Sequence, residues 1–311
     1  MELFCVFMLQ LNVQNETSRL RAVVLGIAVS NGPTPLPEEC YDPKSREHVL
    51  AGTYPKEKDM VPEMEAVAAV FAKYNVQVFR PEIIKDYNQI FSRDIAFVIE
   101  DKFIRANILP DRDREILAIE HVWSQVPKEN RITLPEECHV EGGDVMPWNE
   151  YIFVGTYTAE DYPDYITART NKEAVEALQE VFPHKKVKAF ELRKSNDDPK
   201  ENALHLDCCF QPIGTNKAIL HKNGFLVEEE FQWLVDYFGK ENIFEISKEE
   251  MYQMNSNVFS ISEDVVISER NFKRLNTWLR EQGFTVEEVP YAEIAKQEGL
   301  LRCSTLPLIR D

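Results

Sequence analysis

The C-terminal run Gly299-Leu300-Leu301-Arg302-Cys303-Ser304-Thr305-Leu306-Pro307-Leu308-Ile309-Arg310 places a single cysteine among a cation and two hydroxyls. A lone cysteine is more often a small buried hydrophobe than a nucleophile. Cys303 does not sit in an aliphatic run, however, and a thiolate persists near neutral pH only in polar or cationic surroundings of this kind. A second element is His205-Leu206-Asp207. In an extended strand residues two apart share a face, so imidazole and carboxylate would project into one pocket. The plainer alternative is a satisfied pair flanking a buried leucine.

A third element is Val140-Glu141-Gly142-Gly143-Asp144, where two glycines permit close backbone approach or positive φ between two carboxylates. As a bare turn it is common; for chemistry Glu141 must face the pocket, to bind a cation or to orient an imidazole. The fourth is Phe91-Ser92-Arg93-Asp94 ahead of an apolar run, which taken alone reads as a cap or turn carboxylate. No one of these fragments names a reaction.

The elements that would have to position them are short. Segments Arg21 to Ala28, Ile95 to Ile108, Glu150 to Tyr157, Asn216 to Phe225 and Asn257 to Arg270 are rich in Val, Ile and Phe and read as strands. Helical periodicity marks Pro62 to Tyr74, Asn171 to Phe182, Glu228 to Phe238 and Asn271 to Gln282. Short apolar runs such as Val76 to Phe79 and Phe284 to Val286 follow the helices, giving five irregularly spaced strand-plus-helix units. The fold class is α/β, and periodicity leaves both a five-module propeller and a two-layer sandwich open. Residues 30–58, with several prolines, read as a long loop able to act as a lid. With no low-complexity linker, residues 1–311 are expected to form a single domain.

The chain has 311 residues, 44% of them hydrophobic, enough for a substantial core. Its 35 Lys and Arg against 53 Asp and Glu leave a net charge of −18, which disfavours nucleic acid and anionic membranes as partners. The apolar opening MELFCVFMLQLNVQ lacks the basic start and cleavage site of a targeting segment and reads as a frayed terminus or a first strand. Six scattered cysteines without Cys-x-x-Cys spacing fit free thiols and a cytoplasmic location.

Together the motifs resemble the guanidino-group-modifying superfamily of arginine deiminases, dimethylarginine dimethylaminohydrolases and arginine:glycine amidinotransferases. They stand in family order: Ser92-Arg93-Asp94, Glu141-Gly142-Gly143-Asp144, Ala168-Arg169-Thr170-Asn171, His205-Leu206-Asp207, Asn255-Ser256-Asn257-Val258 and Arg302-Cys303-Ser304-Thr305-Leu306-Pro307-Leu308. The likeness runs from about Arg19 to the end of the chain. It departs at Gln297-Glu298-Gly299-Leu300-Leu301, a lead-in with one glycine, and at an insertion, Ala159 to Ile166.

The resemblance implies a five-bladed α/β propeller, the pentein fold. It implies Cys303 as nucleophile, His205 as general acid/base, and Glu141 orienting that histidine or touching the guanidinium. Asp94 and Asp207 would bind the guanidinium, and Arg169 and Arg105 the substrate carboxylate. The expected reaction is hydrolysis of arginine or an arginine derivative to a ureido product through an S-amidino intermediate, with no cofactor or metal. Amidino transfer to an amine is the alternative, ahead of a non-catalytic binding scaffold and of a zinc enzyme built on His205, Asp207 and a cysteine. A homodimer is the default assembly.

Overall fold

The computed structural model describes residues 8–311; the opening residues 1–7, with Cys5, lie outside the described residues. Among the described residues the strands form five sheets of three strands each. In the first, β1 (Leu20–Leu25) runs parallel to β2 (Gln77–Phe79), and α1 (Pro43–Leu50) and α2 (Glu57–Lys73) make the crossover. The second holds β3 (Ala96–Ile99), β4 (Lys102–Arg105) and β5 (Arg131–Thr133), with the short helices α3 (Arg114–Leu117) and α4 (Glu120–Trp123) in between. The third holds β6 (Val145–Trp148), β7 (Tyr151–Thr156) and, after α5 (Lys172–Val181), β8 (Lys186–Glu191). The fourth holds β9 (Phe210–Ile213), β10 (Lys217–Leu220) and, after α6 (Glu228–Phe238), β11 (Ile243–Glu245); α7 (Lys248–Tyr252) leads onward. The fifth holds β12 (Phe259–Ser262), β13 (Val265–Glu269) and, after α8 (Lys273–Glu281), β14 (Thr285–Val289). The last strand, β15 (Thr305–Arg310), returns to pair antiparallel with β1 and completes the first sheet.

Every sheet therefore follows one recipe. A lead strand pairs antiparallel with a middle strand, and a crossover brings a third strand in parallel to the middle one. The hairpins are tight: Asn149 and Glu100 adopt φ of 54° and 55°, which a two-residue connection requires. Parallel pairing needs a longer connection, supplied by amphipathic helices. Helix α6 buries Phe231, Leu234 and Phe238, and α5, capped by Asn171, buries Ala174 and Leu178. This is the five-bladed α/β propeller; a two-layer sandwich would need continuous ladders, and each sheet here stops at three strands.

Two expected single strands are hairpins, because residues 95–108 and 257–270 each turn once in the middle. The predicted helix over 62–74 begins at Glu57 and carries Pro62 inside it. Residues 30–58 contain α1, whose first turn is capped by Asp42 accepting from the Ser45 amide at 2.6 Å. Residues 8–14 make only isolated bridges, Asn12 to Ile309 and Val13 to Glu100. Among the described residues Cys40, Cys138, Cys208, Cys209 and Cys303 carry free thiols. No described helix is long and apolar enough to cross a membrane.

Candidate active site

Five of the residues singled out in the sequence precede lead strands, Asp94 before β3, Glu141 before β6, His205 and Asp207 before β9 and Cys303 before β15, and Asn257 stands likewise before β12. Each blade thus delivers its polar group from the same point of the repeat. Cross-blade hydrogen bonds lock these points together. The Arg93 amide donates to the Cys303 carbonyl at 2.9 Å, Ser92 Oγ to the Ser304 carbonyl at 2.8 Å, and the Leu206 amide to Asp144 Oδ1 at 2.9 Å.

Asp94, His205, Arg169 and Cys303 line one cavity of about 130 Å³, walled on one side by the segment from Asn31 to Tyr54. His205 Nε2 lies 2.8 Å from Glu141 Oε2, and Nδ1 lies 3.8 Å from Asp94 Oδ1. Burial alone would lower the imidazole pKa, yet Asp94, the hydrogen bond to Glu141 and the nearby Asp144 outweigh it and raise it to about 9. His205 is therefore an imidazolium at neutral pH. Against burial, Arg169 and the bond to His205 hold Glu141 well below the usual carboxylate range.

The His205 proton therefore stabilises the fold fully below its ordinary value of 6.5, and that contribution is lost as pH rises through about 9. An NMR titration of the His205 ring should show a midpoint near 9, moved down by at least about 1 pH unit in Glu141→Gln. An unmoved midpoint would contradict this account of Glu141.

The two glycines of the third motif serve close approach, since neither adopts a positive φ. A Cβ on Gly142 would meet the Arg93 carbonyl at 2.1 Å, and one on Gly143 would meet His205 Nδ1 at 2.6 Å. Gly143→Ala should push the imidazole aside and lower kcat/KM by roughly 100-fold, the scale of a 1 Å misplacement. A variant of unchanged kcat/KM would show that the ring position is not set here.

Asp94 Oδ2 accepts from Arg112 Nη1 at 2.8 Å, while the buried Oδ1 makes no hydrogen bond and faces His205 Nδ1 at 3.8 Å. Burial, the largest influence, keeps its pKa above the usual carboxylate value. Cys303 Sγ lies 3.2 Å from Asn257 Nδ2 and 3.6 Å from Asp207 Oδ2. Burial first, then Asp207 and Asp94, push the Cys303 thiol well above its ordinary range, so it rests as a neutral thiol.

Three expectations need correction. Asp207 does not share a pocket face with His205. The chain tightens into a 3-10 turn at Leu206–Cys208, Asp207 does not line the cavity that His205 lines, and it accepts instead from Arg302 Nη1 at 2.9 Å, with its Oδ2 3.6 Å from the Cys303 sulfur. Arg105, at the end of β4, does not line the cavity; its guanidinium stacks 4.2 Å from the Trp123 ring and pairs with Glu120. Arg112, which the sequence reading did not single out, lines the cavity instead. Arg169 lines the cavity, but its Nη1 is bound to both Glu141 oxygens at 3.0 Å, Nε to the Ile166 carbonyl and Nη2 to the Tyr41 carbonyl. It positions Glu141 and offers no open fork to a carboxylate.

One donor atom each from Asp94, Glu141 and His205 lie within 4.8 Å of one another, close enough to hold a metal ion. Arg112 and Arg169 already balance those two carboxylates, which weakens the pull on a cation there.

A family model described as N,N dimethylarginine dimethylhydrolase, eukaryotic, matches residues 55–310. The chain belongs to this family. It is 30% identical over 225 residues to the uncharacterized protein YkgA of Bacillus subtilis, covering 71% of this chain and 70% of that protein. To the arginine deiminase of Listeria monocytogenes it is 25% identical over 263 residues, covering 72% of this chain and 62% of the deiminase. Among solved structures, the amidinotransferase SxtG of Microseira wollei superposes with a TM-score of 0.75 at 17% identity, over 97% of both chains. The DDAH of Pseudomonas aeruginosa, solved with citrulline, gives 0.69 at 17% identity over 93% of this chain and 100% of that one. These two share the propeller fold, while the family match spans the motifs from Asp94 to Cys303.

Proposed function

We propose that this dimethylarginine dimethylhydrolase family member hydrolyses a C–N bond of a guanidinium compound, with Cys303 as nucleophile and His205 as acid and base. One observation carries the reading: a buried thiol, an imidazolium and a carboxylate oxygen that makes no hydrogen bond meet in one small cavity. A guanidinium is planar, cationic and a poor electrophile. Asp94 Oδ1 makes no hydrogen bond and can accept its N–H groups, while Asp207, already paired with Arg302, lies 3.6 Å from the sulfur.

The cation is also what the thiol lacks. A positive charge beside Asp94 and Cys303 offsets the carboxylates that suppress ionisation, so binding releases the thiol proton to solvent. The thiolate attacks the central carbon, forming the C–S bond. His205 gives its proton to the departing nitrogen, that C–N bond breaks, and the amine leaves an S-linked amidino cation on Cys303. Neutral His205 then takes a proton from water as the hydroxyl adds to carbon. Collapse breaks the C–S bond, and the hydroxyl proton passes to the departing thiolate, which restores the resting thiol and releases a neutral ureido product. Glu141 and Asp94 hold the imidazole in place and favour its charged form throughout.

Amidino transfer would differ only in the second half, where an amine takes the place of water. A colorimetric assay for ureido product on arginine, methylarginines, acetylarginine, agmatine and guanidinoacetate tests the proposal. Product formed only with glycine or ornithine present, and never a ureido compound, would replace hydrolysis by transfer. Silence across the panel, with Cys303 alkylation unprotected by any guanidine, would favour a binding scaffold.

A further inference from the structure

Asn257 is wholly buried at the lead-in to β12, two residues ahead of its strand, as Asp94 is before β3 and Cys303 before β15. The reaction proposed above uses a group from each of the other lead-ins. The orientation of the Asn257 amide is fixed by its neighbours. Oδ1 accepts from the Arg302 amide at 2.9 Å and from the Cys303 amide at 3.2 Å, and only an oxygen can face two N–H groups. Nδ2 is thereby turned to Cys303 Sγ at 3.2 Å, with the Asp207 carbonyl at 3.4 Å as its other acceptor.

Among the described residues no other side chain donates a hydrogen bond to this sulfur. Its remaining side-chain partner, Asp207 Oδ2 at 3.6 Å, accepts from the thiol. Burial, then Asp207 and Asp94, disfavour charge on the sulfur, and the Asn257 hydrogen bond opposes them. Asn257 does not line the cavity, so its N–H serves the sulfur and not a ligand. A neutral donor suits the place. An ammonium or guanidinium side chain would also hold a thiolate, but it would repel the cation that has to bind beside it.

We infer that Asn257 is a further catalytic residue, whose side-chain N–H holds the Cys303 thiolate before it attacks and again as it departs. This rests on the guanidine reading above. A hydrogen bond to an ionised acceptor is roughly twice as strong as one to a neutral acceptor, so the amide favours the thiolate over the resting thiol. As the C–S bond forms, the sulfur gives up its charge and the hydrogen bond weakens. When the adduct collapses, the C–S electron pair returns to sulfur and the hydrogen bond strengthens again. The two backbone contacts through Oδ1 keep the donor in place through both steps.

Two variants separate the donor from the clamp. Asn257→Asp keeps an oxygen for the two amides and turns an acceptor to the sulfur, while Asn257→Ala removes both. The thiolate is titrated by its ultraviolet absorbance, as the difference between each protein and its Cys303→Ala counterpart, with methylguanidine present. In both variants the midpoint should rise by at least about 1 pH unit, and kcat/KM for arginine and agmatine should fall by roughly 100- to 1,000-fold, the scale of a lost oxyanion-hole donor. An unmoved midpoint in either folded variant overturns the inference even where kcat/KM falls, since a backbone clamp alone explains that loss. In the wild-type protein, which needs no variant to fold, the NMR signal of the Asn257 side-chain NH2 should shift along the same titration and stay still in Cys303→Ala; a signal that does not move in the wild type also overturns it. These failures leave the guanidine reading standing, whereas a wild-type protein silent on the whole guanidine panel overturns both.

Discussion

Cys303→Ala is expected to remove turnover, by about 10⁴-fold or more, while ligand binding survives. The resting thiol is neutral, so alanine deletes no charge from a cavity whose carboxylates hold the guanidinium. Its partners tolerate the loss: Asp207 keeps Arg302, and Asn257 keeps its bonds to the Arg302 and Cys303 amides through Oδ1. Serine would do no better, because a hydroxyl is far harder to ionise than a thiol in the same buried place. Mass spectrometry of the wild-type protein quenched during turnover should find an amidino group on Cys303 and none on alanine. Cys208 and Cys209 are the proper controls. Burial pushes both thiols up, and Cys209 hydrogen bonds to the Leu206 carbonyl away from the cavity. Cys209→Ala that loses turnover as Cys303→Ala does, with unchanged melting, would move the nucleophile.

What could be read from the sequence divides along physical lines. Cys303, His205 and Asp94 were legible because each is an unusual side chain just ahead of an apolar run, and the repeat puts all such points at one end of the propeller. Asp207 was misplaced because residue spacing assumes an extended chain, and a 3-10 turn at Leu206–Cys208 breaks that assumption. Arg112 lies in an irregular stretch between β4 and α3, where only the folded chain shows which of several charges reaches Asp94. Asn257 stood in a motif, but its role needs the last blade to close before the amide can meet Cys303. The lead strands β6, β9 and β15 were missed as strands for a shared reason. Each carries a proline, Pro147, Pro212 and Pro307, which argues against a central strand but is tolerated at an edge, and each lead strand is the edge of its sheet.

Arg302, beside the nucleophile in sequence, holds the centre of the propeller together, and Arg302→Met should cost roughly 3–5 kcal/mol of stability. Its side chain is wholly buried and reaches four partners from three parts of the chain: Glu16 through Nε and Nη2 at 3.2 and 3.1 Å, Asp207 at 2.9 Å, and the carbonyls of Gly143 and Val145 at 3.1 and 2.8 Å. Methionine fills much of the volume and leaves two buried carboxylates without that partner, which is the expensive outcome. Glu16 would keep only Arg93, at 3.7 Å, as a salt-bridge partner. A fall in melting temperature on the order of 10 °C is the corresponding signal. Glu16→Gln should also destabilise, because Arg302, Arg93 and Arg310 all draw on its charge, and the double variant should cost less than the sum since both single changes break the same pair. Additive costs would place the two residues in independent interactions. Loss of activity without loss of stability in Arg302→Met would instead assign the arginine to the chemistry of Cys303 through Asp207, and not to the ring closure that holds the cysteine in place.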